Sequence, residues 1–117
     1  MSDNAKQTLY ILDVPERYCP GCVEVMGLLT MYKIDIPVVK EPDWETRPIV
    51  AERFGEREGG RRWPLPILEL PSDYKAPPSI RELIQITPNG QKILVEEKAI
   101  AKFFHEEYGI PRRAGSD

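Results

Sequence analysis

Cys19 and Cys22 are the only cysteines of the chain, and two residues separate them in the run Cys19-Pro20-Gly21-Cys22. Bridging such close neighbours would close a tiny loop and add little stability, so the spacing points to thiol chemistry or a metal, not to stapling. The thiolate is the attacking species, so the question is what stabilises a sulfur anion. The run stands just after a short apolar segment, Leu9-Tyr10-Ile11-Leu12, and opens a helical pattern. A sulfur placed there faces unpaired backbone N–H groups and the positive end of the helix dipole. That setting lowers a cysteine pKa from about 8.5 into the range of roughly 3.5–7.5. Pro20 suits the first turn, where its missing donor is not needed. Cys22 falls on the apolar face with Val25, Met26 and Leu29, so it is expected to be buried and more inert. Cys19 is expected to be the attacking thiol, and Cys22 to resolve the mixed disulfide.

Two other uses of the pair stay open at this level. The cysteines could be half of a zinc or iron–sulfur site, but a structural zinc usually needs four N/S ligands and the chain adds only His105. A metal would then have to bridge two chains, and none is assigned here. The pair could also be a relic, or a slow redox sensor, in a non-catalytic module that binds a partner or dimerises. His105, between Phe104 and Glu106 in the last helical pattern, reads as a surface or interfacial residue and not a catalytic base. No Ser/His/Asp order, Gly-rich phosphate loop or paired-carboxylate motif accompanies it.

The elements that must position the pair are divided by 12 prolines, about twice the usual share. Three Pro-free stretches, 21–36, 49–63 and 89–110, allow unkinked helices. Apolar residues recur at Cys22, Val25, Met26 and Leu29 in the first, with Leu28 and Tyr32 beside them. In the second, Val50 and Phe54 lie on one face, with Thr46 as an expected N-cap and Gly55 as a C′ residue. In the third, Ile100, Phe103, Phe104 and Tyr108 line one face, and Gly109 and Pro111 give the stop. The run 9–12 reads as a central strand buried on both faces. Residues 34–39 read as a strand that Pro37 confines to an edge, and Ile67–Leu70 and Lys92–Val95 as two more, the last entered through Pro88-Asn89-Gly90. The order β-α-β-α-β-β-α predicts a three-layer α/β domain with a four-stranded mixed sheet, its first β-α-β unit a right-handed crossover joining parallel strands. Within 71–88, Leu83-Ile84-Gln85-Ile86 fits either a helical turn or an extra hairpin arm facing 91–94.

Composition bounds the rest. At 117 residues the chain has the length of one domain, able to bury roughly two-thirds of its unfolded surface. Hydrophobic residues at 41% and charged residues at 30% argue against disorder. Lys+Arg 16 against Asp+Glu 19, net charge -3, argues against a nucleic-acid binder or a polybasic membrane anchor. The longest nearly apolar run, 25–32, is too short to span a bilayer, and 1–7 is polar without a signal-peptide core. The expectation is one cytoplasmic domain over 8–111, with 1–7 and 112–117 as flexible tails.

A strand, then Cys-Pro-x-Cys, a helix, a strand, a helix, and x-Pro at the start of a third strand resembles the glutaredoxin-like branch of the thioredoxin superfamily. More closely, the chain resembles a bacterial family of thioredoxin-like proteins of unknown function. The parts that match are Tyr18-Cys19-Pro20-Gly21-Cys22, Leu65-Pro66-Ile67-Leu68, and the ending from Ala99-Ile100 through Tyr108-Gly109-Ile110-Pro111. The resemblance spans roughly 8–111. It implies a glutaredoxin-type fold, a cis Pro66 lying against the cysteines, and a Leu65 backbone that pairs with a bound thiol peptide. It also implies thiol–disulfide exchange, with glutathione as a candidate co-substrate and no resident cofactor. Departures are present: Pro64-Leu65-Pro66 stands where glutaredoxins usually have Thr-Val-Pro, and Val95-Glu96-Glu97-Lys98 lacks their Gly-Gly pair. Glu97 could hold an ammonium at the helix start, as an acidic residue does in glutathione transferases, or simply face the helix dipole. Arg61-Arg62-Trp63, just before Pro66, would form with Arg17 and Tyr18 a basic, aromatic rim suited to a carboxylate-bearing thiol or an acidic segment. The other view of that stretch is a solvated loop, and Trp44 reads as a cover for the core edge.

Overall fold

Strand β1 (Thr8–Leu12) is buried from Leu9 to Leu12, because both of its faces are covered. Leu9 and Ile11 pack into one core with Cys22, Val25, Leu68, Leu94 and Phe103, while Tyr10 packs into a second with Val50, Phe54, Trp63, Ile67 and Ile93. The structure, a computed structural model, describes residues 7–115. Among these, β1 is followed by α1 (Pro20–Met31), β2 (Val38–Glu41), α2 (Pro48–Phe54), β3 (Ile67–Leu70), α3 (Pro78–Arg81), β4 (Gln85–Ile86), β5 (Lys92–Val95) and α4 (Glu97–Tyr108), with a 3-10 turn at Glu58–Gly60. The strands form one open mixed sheet in the order β2-β1-β3-β5-β4. β1 runs parallel to β2 and antiparallel to β3, and β5 is antiparallel to both β3 and β4. The strand alternation of two residues sorts Leu68 and Leu94 to the α1/α4 face and Ile67 and Ile93 to the α2 face.

The sheet therefore has five strands among the described residues, not the expected four. The added strand is β4, two residues paired as Gln85↔Ile93 and Ile86↔Lys92 around the turn at Gly90. Of the two options for 83–86, Gln85-Ile86 takes the hairpin arm; the helical turn of this segment, α3, lies earlier, at Pro78–Arg81. The second strand is an edge, as Pro37 requires, but it begins at Val38, after the proline. Residues 34–37 stay outside it: Ile34 is buried in the core and the Pro37 carbonyl accepts the Leu9 amide at 2.9 Å.

Thr46 does not cap α2. Its hydroxyl donates to Asp43 at 2.7 Å, and the helix starts after Arg47, which holds a left-handed φ of 47° ahead of Pro48. The cap comes from another element: the fully buried Glu41 accepts the Val50 amide at 3.0 Å through Oε1. The ordered contacts run beyond 8–111, since Gln7 is buried and accepts the Tyr108 hydroxyl, and Arg113 pairs with Glu24 at 2.7 Å. The remaining ends of the expected tails, 1–6 and 116–117, lie outside the described residues. No helix among the described residues is long and apolar enough to cross a membrane.

Candidate functional site

Cys19 is the N-cap of α1, in extended backbone, and its Sγ accepts the Cys22 amide at 3.1 Å. This is the bond an N-cap side-chain oxygen would take, made by sulfur. Both thiols are free; Cys19 is partly exposed and Cys22 is 2% exposed. The Cys22 thiol donates to Cys19, and this more than anything lowers the Cys19 pKa to about 6. Burial opposes the shift; the Cys22 amide, the Arg47 charge and the Gly21 amide add to it. The same hydrogen bond, with burial, pushes the Cys22 thiol well up, although its sulfur accepts the Leu12 amide at 3.5 Å. One proton is thus held on Cys22, and the other leaves Cys19 first.

The Leu65–Pro66 peptide is cis, and the Leu65 carbonyl lies 3.6 Å from the Cys19 sulfur. The Leu65 amide donates to no described residue. Gly21 makes room for what approaches the helix start: a Cβ there would sit 2.3 Å from Glu97 Oε1 and 3.1 Å from Pro66 Cδ. Glu97, the first residue of α4, accordingly brings its carboxylate to the Cys-x-x-Cys turn, where it accepts no hydrogen bond from a described residue.

Arginines gather at Trp44. Arg17, Arg47 and Arg62 lie 4.5, 4.9 and 4.7 Å from the Trp44 ring centroid. Arg47 is buried, donating through Nε to the Trp44 carbonyl at 3.2 Å and through Nη1 to the Trp63 carbonyl at 2.6 Å. Trp63 precedes Pro64-Leu65-Pro66, so Arg47 ties α2 to the segment that faces Cys19. Trp63 itself is not on the rim: it is 7% exposed, edge-on to Phe54, with its indole N–H on the Gly55 carbonyl at 2.8 Å. The ring on the basic face is Trp44. Tyr18 is 74% exposed, and Arg61 is exposed without a side-chain partner among the described residues.

Of the residues singled out from sequence, Glu97 is brought to the Cys-x-x-Cys turn, and Arg17 and Arg62 are brought to the Trp44 ring beside Arg47, whose charge reaches Cys19. Arg47 and Trp44 were missed as site residues. The one available signal was Arg47-Pro48, a residue ahead of a helix-starting proline. Among the described residues no group of three or more His, Cys, Asp or Glu side chains is placed to hold a metal ion. Compared with protein-family models, curated proteins and solved structures, the chain matches none.

Proposed function

We propose that the protein is a thiol–disulfide oxidoreductase or thiol-binding protein of thioredoxin-like, glutaredoxin-type fold, with Cys19 as the nucleophile and Cys22 as the resolving thiol. The observation that carries this is the inequality of the two sulfurs: Cys19 partly exposed with its pKa lowered to about 6, Cys22 buried with its proton held. The parallel β1-α1-β2 unit, the antiparallel β3 and β5, and the cis Leu65–Pro66 beside Cys19 support the fold assignment. In the reaction the Cys19 thiolate attacks one sulfur of a disulfide, a Cys19–S bond forms, and the other sulfur leaves as thiolate. Cys22 then gives up its proton and attacks Cys19, releasing the substrate thiol and leaving a Cys19–Cys22 disulfide. The free Leu65 amide is placed to pair with the backbone of a thiol peptide, and Glu97 with an ammonium group. Glutathione, which carries both kinds of group, is the candidate co-substrate. We place the protein in the cytoplasm, where a free thiol pair is maintained, as a monomer or homodimer that acts without nucleic acid or membrane.

The test is mass spectrometry of the Cys22→Ser and Cys19→Ser variants after mild treatment with oxidised glutathione. Cys22→Ser accumulates a mixed disulfide on Cys19, because nothing displaces it, and Cys19→Ser stays largely unmodified. No adduct on either variant would put the non-catalytic binding module ahead.

A further inference from the structure

Three guanidinium groups gathered on one indole ring repel one another, and the Arg62 charge, after burial, lowers the pKa of Arg47. None of the three forms an ion pair with a described carboxylate. Arg47 is 7% exposed, yet with Nε and Nη1 on carbonyls its Nη2 has no acceptor among the described residues and is not sealed from solvent. None of the nearby acids pairs with these arginines. Glu41 caps α2 through Oε1 while its buried Oε2 accepts no hydrogen bond and its charge acts on Arg47, Asp43 accepts from Thr46 and the Glu45 amide, and Glu16 and Glu45 are exposed. Arg62 also gives Nη1 to the Trp44 carbonyl at 3.4 Å; the remaining N–H groups, all of those of Arg17 included, meet no acceptor among the described residues and offer the fork geometry that matches a carboxylate.

We propose that the face formed by Arg17, Arg47 and Arg62 around Trp44 is a binding site for a carboxylate group, and that this carboxylate and the Cys19 thiolate compete for the positive charge of Arg47. The competition rests on Cys19 being the ionising thiol of the proposed function; the binding site does not. By reciprocity, an anion on this face disfavours the thiolate as much as the thiolate disfavours the anion. The charges that face Cys19 are Arg47 and, past Gly21, Glu97; those around Trp44 are Glu16, Asp43, Glu45 and, behind Arg47, Glu41. When Cys19 attacks a disulfide its negative charge departs with the leaving thiolate. A bound carboxylate then holds Arg47 alone, so occupancy favours the thiol and the mixed disulfide over the thiolate.

The probe is succinate, with sodium chloride at equal ionic strength as control. In a thiolate absorbance titration of the reduced full chain near 240 nm, succinate raises the Cys19 pKa by about half a unit more than chloride does, equivalent to roughly threefold weaker binding to the thiolate form. Arg17→Gln/Arg62→Gln abolishes the rise while leaving buried Arg47 in place. Relative to Cys19→Ser, which keeps every other titrating group and the ionisation of succinate itself, the wild-type affinity for succinate, read from tryptophan fluorescence, falls roughly threefold from about pH 5 to 8. In Cys22→Ser carrying 3-mercaptopropionate on Cys19, loss of succinate binding places the substrate's own carboxylate on the face. Tighter binding there instead places a separate anion on it, and both results support the site. A succinate effect equal to chloride in wild type, or a rise that survives in the double variant, overturns it. A wild-type thiol pKa near about 8.5, with succinate binding still lost in the double variant, overturns the proposed function and keeps the site.

Discussion

Cys19 and Cys22 carry the same side chain and are held in opposite states by what donates to each. Because the Cys22 thiol is the largest contributor to the lowered Cys19 pKa, Cys22→Ala raises that pKa toward the free value, while Cys22→Ser, which keeps a hydroxyl donor, raises it less. Thiolate absorbance on both variants checks the order. A thiol whose pKa is lowered on folding contributes stability that is present above its unfolded pKa and is lost as pH falls through its folded one. The Cys19 contribution is therefore lost below about 6 and complete near about 8.5. Above that, Cys22, with its raised pKa, acts in the opposite sense. The stability difference between reduced wild type and Cys19→Ser, from urea midpoints, rises across this window; a flat difference would contradict the assignment. The unequal burial of the cysteines was legible in the sequence because it is local, set by where a Cys-x-x-Cys run meets a strand end and a helix start. The Trp44–Arg47 face was not, because it depends on a left-handed turn at Arg47 and on a carbonyl sixteen residues away.

At the scale of elements, the helix start of α1 is packed by α4 and by the segment before β3, and Gly21 is the contact. Gly21→Ala forces Glu97 Oε1 aside and crowds Pro66 Cδ. The carboxylate ends a flexible side chain and turns away at little cost, whereas the Pro66 ring must give. The variant is therefore expected to cost about 1 kcal/mol, as overpacking does, and Glu97→Ala in the same chain recovers little of it. Urea unfolding of the single and double variants measures this. Glu41 does the equivalent for α2. Glu41→Leu leaves the Val50 amide unpaired in a buried place and is expected to cost about 1–3 kcal/mol, whereas Glu41→Gln keeps the acceptor and costs less. Most elements were readable from periodicity and proline positions. Those misplaced were the shortest or the most dependent on distant partners. β4 is two residues, too few for their own pattern to choose between a helical turn and a hairpin arm, and the α2 cap lies on β2, where a buried glutamate shows no local sign of its partner.

Over the whole molecule, a net charge of -3 coexists with three arginines gathered on Trp44, one of which, Arg47, acts on Cys19. Local charge, not the net value, steers small ions to a cleft. Dithiodipropionate, an anionic disulfide, is therefore expected to react with Cys19 faster than cationic cystamine at low salt, and added salt to narrow the gap. Stopped-flow rates at two ionic strengths check this; a preference for cystamine would mean that net charge governs approach.

The account stands on the inequality of the two thiols, and a thiolate absorbance titration of the reduced wild-type chain measures it directly. One inflection is expected near pH 6. It disappears in Cys19→Ser, where burial still holds the remaining Cys22 thiol above its ordinary value. A wild-type inflection only near about 8.5, the value of an unperturbed thiol, or a low inflection that persists in Cys19→Ser, would contradict it.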